Sequence, residues 1–234
     1  MTVTPSQKHV IDCVLAIFET GKVPTPGSYA TCAILNDGAG ISFGKHQSTD
    51  RANSLDLVVK RYIQKGGVNA KQLEPFLPYF AANKSASEPP HGPWSMETLT
   101  VVNILRAAGV DPLMQSAQDE VFDENYFTPA LNIATQVGAK YALTVLMIYD
   151  TCIHSGPGGV AHIRNLFAAK SPANGGDEKE WVRAYIAARR NWLATHKLQV
   201  LHATVYRMDA LKAIVDAGNW DLVTPLKVRG VSIV

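Results

Sequence analysis

The segment Tyr141–Cys152, YALTVLMIYDTC, limits the possible folds more than any other stretch of the chain. A surface helix shows an apolar stripe and a polar face, whereas this one is apolar on nearly every side, the pattern of a helix buried all round. Such a helix needs a shell of other elements, so the spacing predicts a mainly helical fold with this segment at its centre. Asp150 stands near the end of the run. A buried carboxylate is costly unless it is paired and hydrogen-bonded, so Asp150 should have a cationic partner or lie at the helix end near water.

Candidate cations lie further along. Over Glu180–His196, the residues Trp181, Tyr185, Ile186, Trp192 and Leu193 define one broad helical face. At about 100° per residue, Arg189 projects from the middle of that face and Arg190 points roughly opposite Trp181. Arg207 stands in the next helical segment.

A second constellation occupies Ile11–Gln47. Thr4-Pro5 followed by Gln7 reads as an N-cap, a first-turn proline and the far half of a capping box, and Gly21 reads as the stop. Ile11, Val14, Leu15 and Phe18 share a buried face, and Glu19 borders it in the last turn. Apolar neighbours and the helix dipole both favour a protonated Glu19, which suits a general acid. Beyond it, Tyr29–Leu35 and Ile41–Gly44 are β-capable runs on either side of Asn36-Asp37-Gly38-Ala39-Gly40. That is turn chemistry, so a hairpin is expected with Asp37 at its tip or on its first arm, in wetter surroundings than Glu19. Two carboxyl groups in unlike environments meet the demand of glycosidic bond hydrolysis. Ser42 adds a hydroxyl close by, and Tyr29 is placed to stack on a sugar ring.

Five strings, in order along the chain, resemble the chitosanases of glycoside hydrolase family 46, members of the lysozyme-like superfamily. They are Glu19 with Asp37-Gly38-Ala39-Gly40-Ile41-Ser42, Gln118-Asp119-Glu120 leading to Tyr126-Phe127-Thr128-Pro129, Tyr149-Asp150 through His154-Ser155-Gly156-Pro157-Gly158, Arg190-Asn191-Trp192, and Gly218-Asn219-Trp220-Asp221-Leu222 through Pro225-Leu226. The resemblance implies that Glu19 is the proton donor, that Asp37 activates water, and that Ser42 helps to hold that water. It also implies an Asp–Arg–Arg network behind the acid, formed by Asp150, Arg207 and one of Arg189 and Arg190. Helix geometry favours Arg189 and the Arg-x-Trp string favours Arg190, so both are kept. Ile41 stands where the family has an aromatic residue, and Ser42 where it has Thr. The continuation Phe43-Gly44-Lys45-His46-Gln47 is shorter than the family's and closer to the hairpins of phage lysozymes. His46 and His154 are further substrate-binding candidates, although His154 is offset by one residue from the family's pattern. The acidic residues of Gln118-Asp119-Glu120 are read as a solvated helix face.

The fold expected is therefore mainly α (α+β), a lysozyme-like arrangement of two lobes with a small β-hairpin at the cleft. Residues 1–234 would form one catalytic domain, with a surface loop over Ser85–Pro93. The 47% hydrophobic content is enough for a good core, and a net charge of +2 without a Lys/Arg block argues against nucleic acid. Cys13, Cys32 and Cys152 are too few and scattered for a disulfide framework or a zinc site, and Cys13 and Cys152, within apolar helical patterns, read as buried free thiols. The N-terminus lacks the pattern of a secretory signal, and no apolar run reaches membrane-spanning length. Action outside the cytoplasm is expected, with either a signal already removed or export by another route such as phage lysis or a secretion machine. No metal or organic cofactor is expected, the partner is a polysaccharide, and the enzyme would act as a monomer.

Three functions compete on these residues: an endo-acting inverting hydrolase of a glucosamine polymer such as chitosan, a muramidase acting on peptidoglycan, and an inactive sugar-binding module. The strings favour the first, the phage-like hairpin speaks for the second, and Glu19, Asp37 and Ser42 together speak against the third.

Overall fold

The computed structural model describes residues 1–35, 40–50, 54–82 and 96–234. Asp37 and the Ser85–Pro93 loop lie outside the described residues. In chain order the elements are α1 (Pro5–Thr20), a 3-10 turn (Pro26–Ala30), β1 (Cys32–Leu35), β2 (Gly40–Phe43), β3 (Ser48–Thr49), α2 (Ser54–Gln64), α3 (Ala70–Leu73), α4 (Leu77–Ala82), α5 (Met96–Ala108) and α6 (Pro112–Phe122). A π-helical turn (Asp123–Phe127) then leads to α7 (Thr128–Gln136), α8 (Ala142–Ser155), α9 (Pro157–Arg164), α10 (Glu178–Thr195), α11 (Tyr206–Asp216), β4 (Leu226–Val228) and β5 (Val231–Ile233). The chain is mainly α with small antiparallel sheets. It divides into two compact units, one formed by Met1–Val23 with Tyr126–Val234 and the other by Pro24–Asn125.

The first unit is built on α8, every residue of which from Ala142 to Cys152 is buried. Helices α1, α7 and α9 pack against it, and α10 packs on α9 and α11. The start of α8 is pinned by a carboxylate. Glu178, at the head of α10, accepts the N–H groups of Lys140 and Tyr141 and the hydroxyl of Thr144 at 2.6 Å. Amides at a helix N-terminus lack intrahelical acceptors and favour an anion, so this one side chain sets where α10 begins relative to α8. Helix α1 begins and ends as its sequence implies. Thr4 and Gln7 form a reciprocal capping box, and Gly21 adopts the left-handed conformation (φ 76°) with its N–H on the Ile17 carbonyl at 3.0 Å.

The second unit carries a three-stranded antiparallel sheet in the order β1-β2-β3. Its core joins Ile41 and Phe43 of the sheet to Val58 and Tyr62 of α2, Leu105 of α5 and Ala117 of α6. The β1–β2 register runs from Cys32↔Phe43 to Leu35↔Gly40. Gly40 has φ 74°, and a Cβ there would meet the Asp50 carboxylate, which accepts the Ile41 N–H at 3.1 Å.

The sequence reading needs correction at one end of this hairpin. Tyr29 is not on a strand but in the 3-10 turn, because Thr25 and Ser28 cap that turn and Pro26 fixes its first φ. The sheet also has a third strand, β3, beyond the expected hairpin.

Candidate active site

In the first unit the side chains form a line that ends at Glu19. Asp150 is fully buried in the last turns of α8, four residues before His154. Its Oδ2 accepts Nη1 of Arg189 from α10, and its Oδ1 accepts Nη1 of Arg207 from α11 at 2.6 Å. Nη2 of Arg207 then donates to Oε1 of Glu19 at the end of α1. Arg189 is 0% exposed, and it is the cation that a carboxylate inside a buried helix requires.

Arg190, the other candidate, is not part of this line. It is exposed and pairs with Asp209 at 2.6 Å, because one residue along a helix turns the side chain through about 100°. Glu19 also differs from expectation. Its side chain is 46% exposed and meets a guanidinium, where the sequence suggested an apolar setting. Arg207 lies 188 residues away, which no local pattern could reveal.

Electrostatics follows from this packing. Burial works against the charged form of Asp150, but the charges of Arg189 and Arg207 outweigh it and hold the carboxyl below its ordinary range. Burial likewise works against the charge on Arg207, and the Asp150 charge and the Glu19 hydrogen bond reverse that and keep it firmly cationic. His154 is half-buried, with Nδ1 at 3.2 Å from the Ser155 hydroxyl. Burial pushes its imidazole below the ordinary histidine value, and the charges of Arg189 and Arg207 push the same way against the opposing charges of Asp150 and Glu19, so its cation is disfavoured. Burial raises the thiols of Cys32 and Cys152 to about 12 and about 11, which leaves neither as a nucleophile.

The second unit holds the other candidates. Ser42 is buried on β2, paired in register with Ala33 and Thr49. Residues on both sides of the hairpin converge on Asp119 of α6. Its Oδ2 accepts the Tyr29 hydroxyl at 2.7 Å, and its Oδ1 accepts Lys45 Nζ at 3.0 Å and His46 Nε2 at 2.8 Å. Burial would raise the Asp119 carboxyl, but the His46 hydrogen bond, the Lys45 charge and the Tyr29 hydroxyl win and hold it far below the usual range. An ionised carboxylate only accepts, so Nε2 of His46 is the donor.

The neighbouring Gln118 is buried and bridges the same two places. Its Oε1 accepts the Lys45 N–H at 3.0 Å, and its Nε2 donates to the Tyr29 carbonyl at 3.0 Å. The imidazole of His46 stacks on Phe122 with centroids 3.9 Å apart. Tyr29 and His46, read from sequence as sugar contacts, thus have polar groups engaged with α6, and Lys45 Nζ lies over the Tyr29 ring at 5.3 Å. Sequence reasoning missed Gln118 and Asp119 because acidic residues on a helix are usually solvated. The available signal was that Asp119 follows Gln118 in one of the five strings.

Comparison with known proteins bears on what these groups do. The family model described as glycosyl hydrolase family 46 matches residues 13–226. A chitosanase of Bacillus subtilis (strain 168) is 28% identical over 234 residues, covering 95% of this chain and 82% of the relative. Among solved structures, the native chitosanase from Bacillus subtilis MY002 superposes with a TM-score of 0.80 at 25% identity, over 99% of this chain and 96% of that one. The Gynuella sunshinyii chitosanase in complex with chitotetraose gives a TM-score of 0.79 at 26% identity, over 99% and 98% of the two chains.

Proposed function

This chain belongs to glycosyl hydrolase family 46 and is a glycoside hydrolase, and from that premise we propose that it is an endo-acting chitosanase that inverts configuration at the anomeric carbon. On this reading the whole chain, residues 1–234, serves as one catalytic domain. Glu19 protonates the leaving glycosidic oxygen while Asp37 takes a proton from a water held by Ser42. Single displacement of this kind needs the two carboxyls roughly 6.5–9.5 Å apart, with water on the face of the sugar opposite the acid.

The observation that carries the reading is the line Arg189–Asp150–Arg207–Glu19. Arg207 holds Oε1 of Glu19, so the proton to be delivered sits on Oε2. When it leaves, the charge left on the carboxylate meets a guanidinium already in place. Preorganised groups aimed at developing charge need no reorganisation at the moment of reaction, which is what lowers a barrier. Asp150 and Arg189 orient Arg207 from behind.

A polymer of glucosamine is preferred over peptidoglycan because the relatives are chitosanases and one of the solved structures holds chitotetraose. Such a polymer is met outside the cytoplasm, where the enzyme would act. The test is release of reducing ends from chitosan and, in parallel, from purified peptidoglycan, by the wild type and by Glu19→Gln. Release from chitosan alone is expected, reduced by about 10²–10⁴-fold in the variant, the usual contribution of a positioned acid. Release from peptidoglycan alone, or an unaffected variant, would overturn the reading.

A further inference from the structure

A second brace lies behind Glu19. Helix α1 ends at Thr20, so the carbonyls of its last turn have no intrahelical donors. The Ile17 carbonyl is met by the Gly21 N–H, but the Lys22 N–H that would serve Phe18 turns instead to the Thr20 hydroxyl at 3.3 Å. The Phe18 carbonyl is met by a side chain from α11, the hydroxyl of Tyr206, at 2.5 Å. Phe18 and Tyr206 also pack edge to face, with centroids 6.1 Å apart. Phe18 precedes Glu19 and Tyr206 precedes Arg207, so this hydrogen bond runs beside the Glu19–Arg207 contact, one residue back on each helix.

Tyr206 is in turn held from the other end of the chain. Arg229 lies over its ring, guanidinium to centroid 3.8 Å. Arg229 and Gly230 form the two-residue turn between β4 and β5, with φ 49° and 86°. Both angles are left-handed, as in a type I′ turn, whose first position prefers Asn, Asp or Gly. An arginine there is an outlier, and an outlier of this kind asks for a reason in its side chain. The stack on Tyr206 supplies one.

We propose that Tyr206, clamped by Arg229, is a positioning residue that fixes the last turn of α1 and thereby the aim of the Glu19 carboxyl. The inference rests on the reading of Glu19 as the proton donor. Its test is steady-state kinetics on chitosan with thermal unfolding of Tyr206→Phe, which removes only the hydroxyl, and of Arg229→Asn, which gives the turn a residue it prefers.

A small misplacement of a reacting group acts on kcat, so Tyr206→Phe should lower kcat about tenfold with KM within about twofold of wild type. Arg229→Asn should lower kcat by about threefold without lowering the unfolding midpoint, which a purely structural turn residue would not do. Wild-type kcat in either variant overturns the proposal. So does a fall in kcat that comes with an equal change in KM or with a lost midpoint. Glu19→Gln, run beside them, separates the two levels: if it stays active, the proton-donor reading fails, whereas an inactive Glu19→Gln with fully active brace variants removes only the brace.

Discussion

Asp150 sits between two guanidiniums with no solvent to share their charge, and this decides what its neighbours can tolerate. Removing one partner of a buried ion pair leaves an uncompensated charge and costs about 3–5 kcal/mol. Arg189→Ala, which leaves Asp150 with Arg207 alone, is therefore expected to lower the free energy of unfolding in urea titration by up to about 3–5 kcal/mol, whereas Arg190→Ala, at an exposed pair, should leave the urea midpoint unchanged. Equal effects would mean that the two arginines had been assigned wrongly. His154 gives a second residue-level prediction. Followed by NMR, its imidazole should titrate below 6.5, because burial and the two arginines disfavour its cation; titration at or above that value would contradict the arrangement. The inward turn of Arg189 was legible from the helical period of Trp181, Tyr185, Ile186 and Leu193. The Arg207–Glu19 contact was not legible as a pattern, since it joins residues far apart in sequence and came only from resemblance.

Elements with local signals matched their sequence closely. Thr4, Gln7 and Gly21 bound α1 because capping is a contest among adjacent residues, and Gly109 follows α5 for a similar reason. The β4–β5 hairpin carried no such signal, since Arg229-Gly230 is not a usual turn pair, and neither did α9, a short helix that opens at Pro157 with two glycines after it. The β1–β2 hairpin was legible, but its support was not, because Gln118 and Asp119 act from α6 across more than 70 residues. That clamp gives an element-level prediction at Gly44. Its φ is 80°, and a Cβ would come within 2.0 Å of Gln118 Oε1, an atom already bonded to the Lys45 N–H. Gly44→Ala should destabilise the unit by about 1–2 kcal/mol from the left-handed backbone alone, and lower chitosan hydrolysis further by displacing Gln118. A variant with wild-type kcat and midpoint would show that the clamp has no bearing on the hairpin.

For the whole molecule, the apolar segment around Ile148 and the ordered strings sufficed for a mainly helical fold and a hydrolase of family 46, because both depend on pattern spread over the chain. Acid stability is also a whole-molecule property. The Asp119 and Asp150 carboxyls are held below their unfolded values, so their contribution is complete above the ordinary carboxylate range, about 4, and is lost as pH falls through the depressed values. Thermal midpoints should therefore stay level from pH 7 to about 5 and fall steeply below about 4; a midpoint that rose on acidification would contradict this electrostatic picture. The central claim is hydrolysis of a glucosamine polymer with inversion, and proton NMR of the anomeric signals during the first minutes of cleavage of a glucosamine oligomer tests it most directly. The account predicts that the new reducing end appears first as the α-anomer and then equilibrates. A β-anomer appearing first would show retention, and would contradict the roles given to Glu19 and Asp37.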